Sequence, residues 1–380
     1  MENKKIRIAG AITVAAIWLV LVGVLWLGPK HAQSDAERRP LAQMPKLTVQ
    51  SIMDRSFMDV FEDYTLDQFP GRDSFRQIKS VFHYYVMQQM DNNSIYVHDG
   101  YAAKMMYPLN DASVKLATDR FNYIYETYLK KTNANVYLSV IPDKGYYLAE
   151  ENGYLSLDYE TLFQHVQEAT PWAEYIDLTD TLDVQDYYHT DTHWRQEKIF
   201  DAAGKICEAM GADAPKAEDY TAVKVDRPFY GVYYGQAALP MNPDSLYTLK
   251  GDTLDQCITY EVTMDKNYKI VNNKLYDSVY DMERVDGKDM YQIYLSGNKG
   301  LLQIENPNAT SQKELIVFRD SFGSSMVPLL VQSYRKVTLV DIREISVDTV
   351  RFFVNYRNKD VLFLFSAIVL NDAGASLWRQ

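Results

Sequence analysis

Leu315-Ile316-Val317-Phe318 runs without a polar residue into Arg319-Asp320-Ser321-Phe322-Gly323. An unbroken apolar run of this length, with β-branched Ile316 and Val317 at its centre, fits a strand covered on both faces, as in parallel sheets layered between helices. The residues that follow, through Leu330, read as a helix, and Pro328 requires that helix to begin near Ser324 or to kink. The stretch therefore predicts a strand-to-helix turn that carries a serine. Open α/β sheets place their sites just beyond the C-terminal ends of strands. Backbone amides at the start of a helix can also hold a developing negative charge there. Taken alone, the tripeptide Asp320-Ser321-Phe322 reads as a helix start in which Ser321 is only a cap.

Working outward, Lys336–Val340 and Val361–Phe365 repeat the apolar strand pattern on the C-terminal side. Upstream, an amphipathic helix from Asp111 to Leu129 leads into the β-rich run Asn135–Ile141, which stops at Pro142-Asp143-Lys144-Gly145. This helix-then-strand rhythm predicts an α/β core with a mainly parallel sheet. Ile199, Ala202, Ala203, Ile206 and Ala209 share one face of a helix expected over Trp194–Met210, with Thr192 as its N-cap and Gly211 as its stop. Between about 216 and 300 short Tyr/Val/Ile runs such as Gly231–Tyr234, Cys257–Val262 and Tyr268–Val271 alternate with Asp, Asn and Gly, which predicts a β-rich insertion. The expected organisation is a membrane anchor over 1–28, a linker over 29–50, helices and the first part of the core over 51–215, the insertion over 216–300 and the second part of the core over 301–380. Phe57, Val60, Phe61 and Tyr64, then a run from Ser74 to Met90 after the break at Pro70-Gly71, read as helices that pack on the domain.

Lys4, Lys5 and Arg7 precede an uncharged stretch from Ile8 to Leu27. Those residues make a helix of roughly 30 Å, enough to cross the hydrocarbon core of a bilayer. The basic flank belongs inside, so a single-pass cell-membrane protein with a cytoplasmic N-terminus and an extracellular domain is expected. A cleaved signal peptide is the competing reading, but Trp26, Lys30 and Gln33 stand where a cleavage site needs small residues. Pro29, Pro40 and Pro45 mark the segment beyond as a linker. The chain of 380 residues is 47% hydrophobic and 24% charged, which suits a large folded core. Its net charge of -12 argues against nucleic acid and anionic polymers as partners and favours a neutral or weakly charged substrate. Thirty tyrosines offer flat faces with hydroxyl tips that suit sugar rings, although half-buried strand positions account for most of them. Cys207 and Cys257 are the only cysteines, and the sequence leaves their pairing open.

The second stretch with chemistry in it is Tyr188-His189-Thr190-Asp191-Thr192-His193-Trp194, which holds two of the six histidines. In an extended segment Asp191 and His193 point to one side, so the carboxylate can orient the imidazole and stabilise its cation. A serine needs such a base to become a nucleophile. His189, Asp191 and His193 also alternate as metal ligands do, but no further Cys/His cluster supplies the remaining ligands, and no cofactor or metal is expected. Lys144 follows a core strand, where it either meets substrate or is solvated. Trp194 either lines a sugar site or packs the first helical turn. Asp341 and Arg343 read as a structural pair.

Asp191-Thr192-His193-Trp194 and the strand followed by Asp320-Ser321-Phe322 resemble the signatures of the DHHW family and, more distantly, of the SGNH-hydrolase-like alginate O-acetylation proteins. Supporting stretches are Asp67-Gln68-Phe69-Pro70-Gly71-Arg72-Asp73, the Pro142-Asp143-Lys144 strand end, Phe229-Tyr230-Gly231, Ser296-Gly297-Asn298 and Val340-Asp341-Ile342-Arg343, so the resemblance extends from about residue 50 onward. It implies a three-layer α/β/α SGNH-hydrolase-like core with Ser321 as nucleophile, His193 as general base then acid, and Asp191 as the orienting carboxylate. Gly297 and Asn298 would then supply oxyanion donors together with the Ser321 amide. The family's second signature position, a histidine, is Thr192 here, as in the alginate-type proteins.

The implied activity is transfer of an acyl group, acetyl above all, from Ser321 to a hydroxyl of an extracellular polysaccharide. A membrane-bound O-acyltransferase is the implied acyl supplier, since one membrane helix cannot export the group alone. Hydrolysis by the same acyl-enzyme, making the chain a carbohydrate acetylesterase, and a non-catalytic glycan-binding scaffold are the rival readings.

Overall fold

The computed structural model describes residues 2–264 and 269–372, so Tyr268 of the expected strand run and residues 373–380 of the second core segment lie outside it. It separates into two units, Met1–Asn93 with Tyr234–Pro240, and Ser94–Tyr233 with Met241–Gln380.

The first unit begins with the helix Glu2–Leu27, of which Lys4–Leu27 is long and apolar enough to cross a membrane. The segment read as a linker is tied down rather than loose. Gln33–Ser34 and Arg39–Pro40 form a small antiparallel pair. Arg39 then donates to both oxygens of Asp67, at 2.9 and 2.6 Å, a two-pronged contact that fixes the turn on the helix Ser56–Asp67. The chain reverses through Gly71, whose φ of +68° only glycine adopts cheaply, into the helix Arg72–Val81 and one wider turn over Phe82–Val86.

The second unit is built on one eight-stranded sheet. Its strands are β1 (Asn135–Ile141), β2 (Glu174–Tyr175), β3 (Ile258–Met264), β4 (Ile270–Tyr276), β5 (Leu301–Glu305), β6 (Lys313–Arg319), β7 (Tyr334–Val340) and β8 (Asp360–Ser366). Their spatial order is β4-β3-β5-β7-β6-β8-β1-β2. Strands β7, β6, β8, β1 and β2 pair in parallel, and β5, β3 and β4 continue the sheet antiparallel. Alternation along β6 shows why its run is apolar throughout. Leu315 and Val317 pack toward the helices Phe200–Ala209 and Gly323–Leu330, whereas Ile316 and Phe318 pack toward Asp111–Ile124 and Tyr159–Ala169. The result is the expected three-layer α/β/α arrangement with the sheet buried on both faces.

Two expectations change. The region 216–300 is not a body apart from the core: Thr221–Phe229 and Asp244–Lys250 form a separate hairpin, but β3 and β4 extend the main sheet through the pairing of β3 with β5. The helix expected from Trp194 starts only at Phe200, after a short 3-10 turn at Gln196–Lys198. Thr192 does not cap it, because the Thr192 hydroxyl instead accepts from Tyr233 Oη at 3.0 Å. Pro328 sits inside the helix Gly323–Leu330, which ends two residues later.

Candidate active site

Ser321 stands two residues past the end of β6, in the middle of the sheet. The turn that carries it is built by its neighbours. Asp320 is fully buried; its Oδ1 accepts from the Phe322 amide at 3.0 Å and its Oδ2 from the Ser366 amide and hydroxyl at 2.8 and 2.7 Å. The carboxylate thus closes the turn on one side and fastens it to the end of β8 on the other. Arg319, also fully buried, donates to the Asp320 carbonyl and the Ser324 hydroxyl, at 3.2 and 3.0 Å, and to the Gly297 carbonyl at 3.2 Å. Burial pulls its guanidinium below the ordinary value, partly offset by the charge of Asp341. Asp341 and Arg343 form the two-pronged pair expected of them, at 2.8 and 2.6 Å.

The other half comes from the loop Tyr187–Trp194, which is bent rather than extended. It is pinched shut by the Tyr188 amide, which donates to the His193 carbonyl at 3.1 Å. Within it His193 Nδ1 lies 2.5 Å from Asp191 Oδ1, and His193 Nε2 lies 2.8 Å from Ser321 Oγ. The three side chains therefore form one continuous hydrogen-bonded chain, with Asp191 wholly buried and Ser321 partly open. With the proton on Nδ1 and that N–H donating to Asp191, Nε2 is free to accept the serine proton. The second oxygen of Asp191 accepts from the Val232 amide at 2.8 Å.

Three partners of this loop were not singled out as site residues by the sequence. Asp244 accepts four hydrogen bonds, from the amide and Nδ1 of His189 and the amide and hydroxyl of Thr190. Burial alone would raise its carboxyl, yet these donors hold it below the usual range. Tyr291 lies flat against His193, with ring centroids 3.7 Å apart, and its hydroxyl meets Ser325 Oγ at 2.8 Å. Gly231 brings backbone against the loop; its amide donates to Thr190 Oγ1 at 2.9 Å. None of these stands close in sequence to what it serves. Only Gly231, inside the Phe229-Tyr230-Gly231 stretch, belonged to a recognisable motif.

The remaining candidates fare differently. His189 turns away from His193 toward Asp244 and stacks on Tyr101 with centroids 4.0 Å apart, so His189, Asp191 and His193 do not converge as metal ligands. Trp194 does not line a sugar site: it is fully buried, and its indole N–H donates to the Phe322 carbonyl and Ser325 Oγ at 3.1 and 2.9 Å. Lys144 is not solvated either. It is buried, donates to the carbonyls of Tyr188 and His189 at 2.7 and 3.3 Å, and burial pushes its ammonium down to about 7. It braces the Tyr187–Trp194 loop through these two carbonyls. Gly297 has its amide committed to the Tyr294 carbonyl at 3.1 Å and its carbonyl to Arg319, while Asn298 is exposed. Leu295, Ser296 and Gly297 are three successive residues at positive φ, a costly conformation for the first two. The Leu295 amide holds it through the Val279 carbonyl, and Ser296 through its hydroxyl to Asp281. Cys207 and Cys257 are both free and buried.

The family model for DHHW proteins matches residues 177–340, a span that contains Asp191, His193 and Ser321. No curated protein matches the chain significantly in sequence. Among solved structures, a DHHW family protein from Eubacterium siraeum aligns with a TM-score of 0.61 at 19% identity, covering 76% of this chain and 98% of its own. Bacillus cereus PatB1 aligns with a TM-score of 0.58 at 20% identity in the form with a sulfonyl adduct, covering 73% of this chain and 95% of its own. A second PatB1 structure aligns with a TM-score of 0.56 at 19% identity, covering 73% and 96%. At such identities the likeness speaks for the fold. Through residues 177–340, this chain is similar to the DHHW proteins.

Proposed function

We propose that this chain is a serine-dependent O-acyltransferase, held on the outer face of the cell membrane by its N-terminal helix, that moves an acyl group, acetyl above all, onto a hydroxyl of an extracellular polysaccharide. The observation that carries the reading is the unbroken chain from Asp191 Oδ1 through the His193 ring to Ser321 Oγ, at 2.5 and 2.8 Å. Such a constellation has a definite chemistry. His193 Nε2 takes the proton as Ser321 Oγ attacks the acyl carbonyl, and the imidazolium then gives that proton to the departing donor oxygen. In the second half a glycan hydroxyl loses its proton to His193 and attacks the acyl-serine, and the proton returns to Ser321 Oγ. The Ser321 amide, which has no acceptor among the described residues, is the oxyanion donor we assign. Asn298 is the residue of the Gly297-Asn298 pair with a side chain open to a ligand.

A scaffold without catalysis is disfavoured by the same distances, since a serine and histidine with no chemical task need not meet at 2.8 Å. Hydrolysis differs from transfer only in whether water or a sugar hydroxyl reaches the acyl-enzyme. A membrane-bound O-acyltransferase as acyl supplier fits a chain with one candidate span among its described residues.

PatB1 has been solved with a sulfonyl adduct, which recommends a sulfonyl fluoride as the probe. The full-length protein is expected to be labelled at Ser321 and the Ser321→Ala variant to stay unlabelled. Equal labelling of that variant sinks the assignment. An acetyl ester supplied with and without an oligosaccharide then separates the two outcomes. Acetylated sugar marks a transferase, and acetate alone marks an esterase.

A further inference from the structure

The helix Arg72–Val81 with its following turn Phe82–Val86 is inside out by the rules of a water-soluble surface. Phe75, Ile78, Phe82 and Tyr85 recur at intervals of three and four residues and so share one face, and that face is exposed, with Ile78 at 66% and Tyr85 at 58%. The opposite face is polar and turned inward. Ser80 is 1% exposed and accepts from Asn92 Nδ2 at 2.7 Å, while Arg76 donates to the Gly235 and Gln236 carbonyls at 3.0 and 3.1 Å. The preceding helix repeats the pattern in part, with Met58 and Leu66 more than half exposed and Tyr64 alone buried. Apolar surface on this scale needs a cover.

The same unit shows what the cover is. Trp26, in the last turn of the Lys4–Leu27 segment, meets Phe61 with ring centroids 6.3 Å apart, and Phe61 stacks on Phe57 at 5.6 Å. Lys30, three residues past the segment, lies over the Tyr64 ring at 5.3 Å. Tryptophan, tyrosine and lysine at the end of a span occupy the depth of the lipid headgroups. The helix Ser56–Asp67 is thereby placed at the level where the span leaves the hydrocarbon. We propose that the face Phe75/Ile78/Phe82/Tyr85 lies in the outer leaflet of the membrane, so that the first unit is a monotopic foot as well as an anchor. This rests on the reading of Lys4–Leu27 as an uncleaved span. The occupant is lipid through its acyl chains rather than through anionic headgroups. The arginines beside it are committed to carboxylates, Arg39 to Asp67 and Arg72 and Arg76 to Glu37, which leaves Lys79 as the one other cation on the helix Arg72–Val81.

The test uses the full-length protein in vesicles of zwitterionic phosphatidylcholine, with single cysteines carrying an NBD fluorophore. The native Cys207 and Cys257 are buried, with thiols pushed up to about 12 by burial, and stay unlabelled in the folded chain. Ile78→Cys, Phe82→Cys and Tyr85→Cys are expected to lose most of their emission to a nitroxide-bearing lipid and little to aqueous iodide. Gln77→Cys, at an exposed position outside that apolar face, should show the reverse. Val22→Cys reports on the span itself. Lipid quenching at residue 22 with iodide quenching at 78, 82 and 85 overturns the foot while the anchor stands, and hands the face to a protein partner. Iodide quenching at all four sites overturns the anchor and the foot together.

Discussion

His193 and Tyr291 lie face to face, with centroids 3.7 Å apart and planes within 7° of parallel. The ring face carries negative charge density, so in the proposed mechanism it favours the imidazolium that would form when Ser321 gives up its proton. Such contacts are worth about 1–2 kcal/mol when desolvated. Tyr291→Leu is therefore expected to lower kcat by about 5- to 30-fold. Tyr291→Phe keeps the ring, loses the hydroxyl's bonds to Ser325 Oγ and to the Ser321 carbonyl, and should lose about 1 kcal/mol of stability with kcat nearly intact. Comparing kcat and denaturant midpoints of the two variants checks this. Equal kcat losses would show that the hydroxyl, not the ring, matters.

Asp191 Oδ1 accepts from the His193 Nδ1 and amide, and its Oδ2 accepts from the Val232 amide. Asp191→Asn keeps the shape but presents an N–H where an acceptor is needed, or else turns the ring to the wrong tautomer. By analogy with other serine–histidine–aspartate sites, kcat should fall about 10³- to 10⁴-fold. The thermal unfolding midpoint should move far less than it does for variants that remove buried volume. Turnover of an acetyl ester reads the first and calorimetry the second.

Gly231 is a close-approach glycine. A methyl group on its α-carbon would stand 2.3 Å from Asp191 Cβ and 2.5 Å from the Asp191 amide nitrogen. Backbone on both sides cannot yield as a flexible side chain would. Gly231→Ala is expected to cost about 1–3 kcal/mol, as overpacking does, and to reduce Ser321 labelling because the strain falls on the carboxylate that orients His193. Gly204→Ala is the control. Its added methyl meets nothing closer than 3.9 Å, within a helix, and it should gain about 0.5–1 kcal/mol.

Stability should depend on pH in two separate windows. Lys144 titrates near 7 in the folded chain, because burial disfavours its cation, and near 10.5 when unfolded. Between those values the unfolded chain binds a proton that the folded chain does not, so this lysine makes stability rise with pH across that window. Asp244 has the opposite place on the scale. Its folded carboxyl lies below the ordinary 3.8, so its contribution is present above that value and is lost as pH falls through the folded value. Urea midpoints measured across both windows should show a flatter alkaline slope for Lys144→Met and a weaker acid loss for Asp244→Asn. Unchanged slopes in both variants would mean that other groups control the titration.

The apolar run Leu315–Phe318, the turn after it and the Asp-x-His spacing were legible in the sequence because each is local. Burial on two faces demands unbroken hydrophobicity, and a serine at a strand-to-helix turn is a pattern of adjacent residues. The uncharged stretch Ile8–Leu27 was legible for the same reason. What tertiary structure decided is everything that depends on distant chain meeting near the site. Asp244 lies 54 residues from Thr190 and still holds its amide and hydroxyl; Ser366 lies 46 residues from Asp320 and fixes the serine turn. No periodicity records such pairings. Trp194 and Lys144 show the same limit from the other side. Their types left open a sugar site or helix packing for Trp194 and substrate or solvent for Lys144, and the fold buries both and gives each polar atom a carbonyl or hydroxyl partner. The sequence by itself determined the sheet, the serine and its histidine. The packing of loops that sequence separates decided how they are held, because burial makes every polar group there find a partner, whichever part of the chain supplies it.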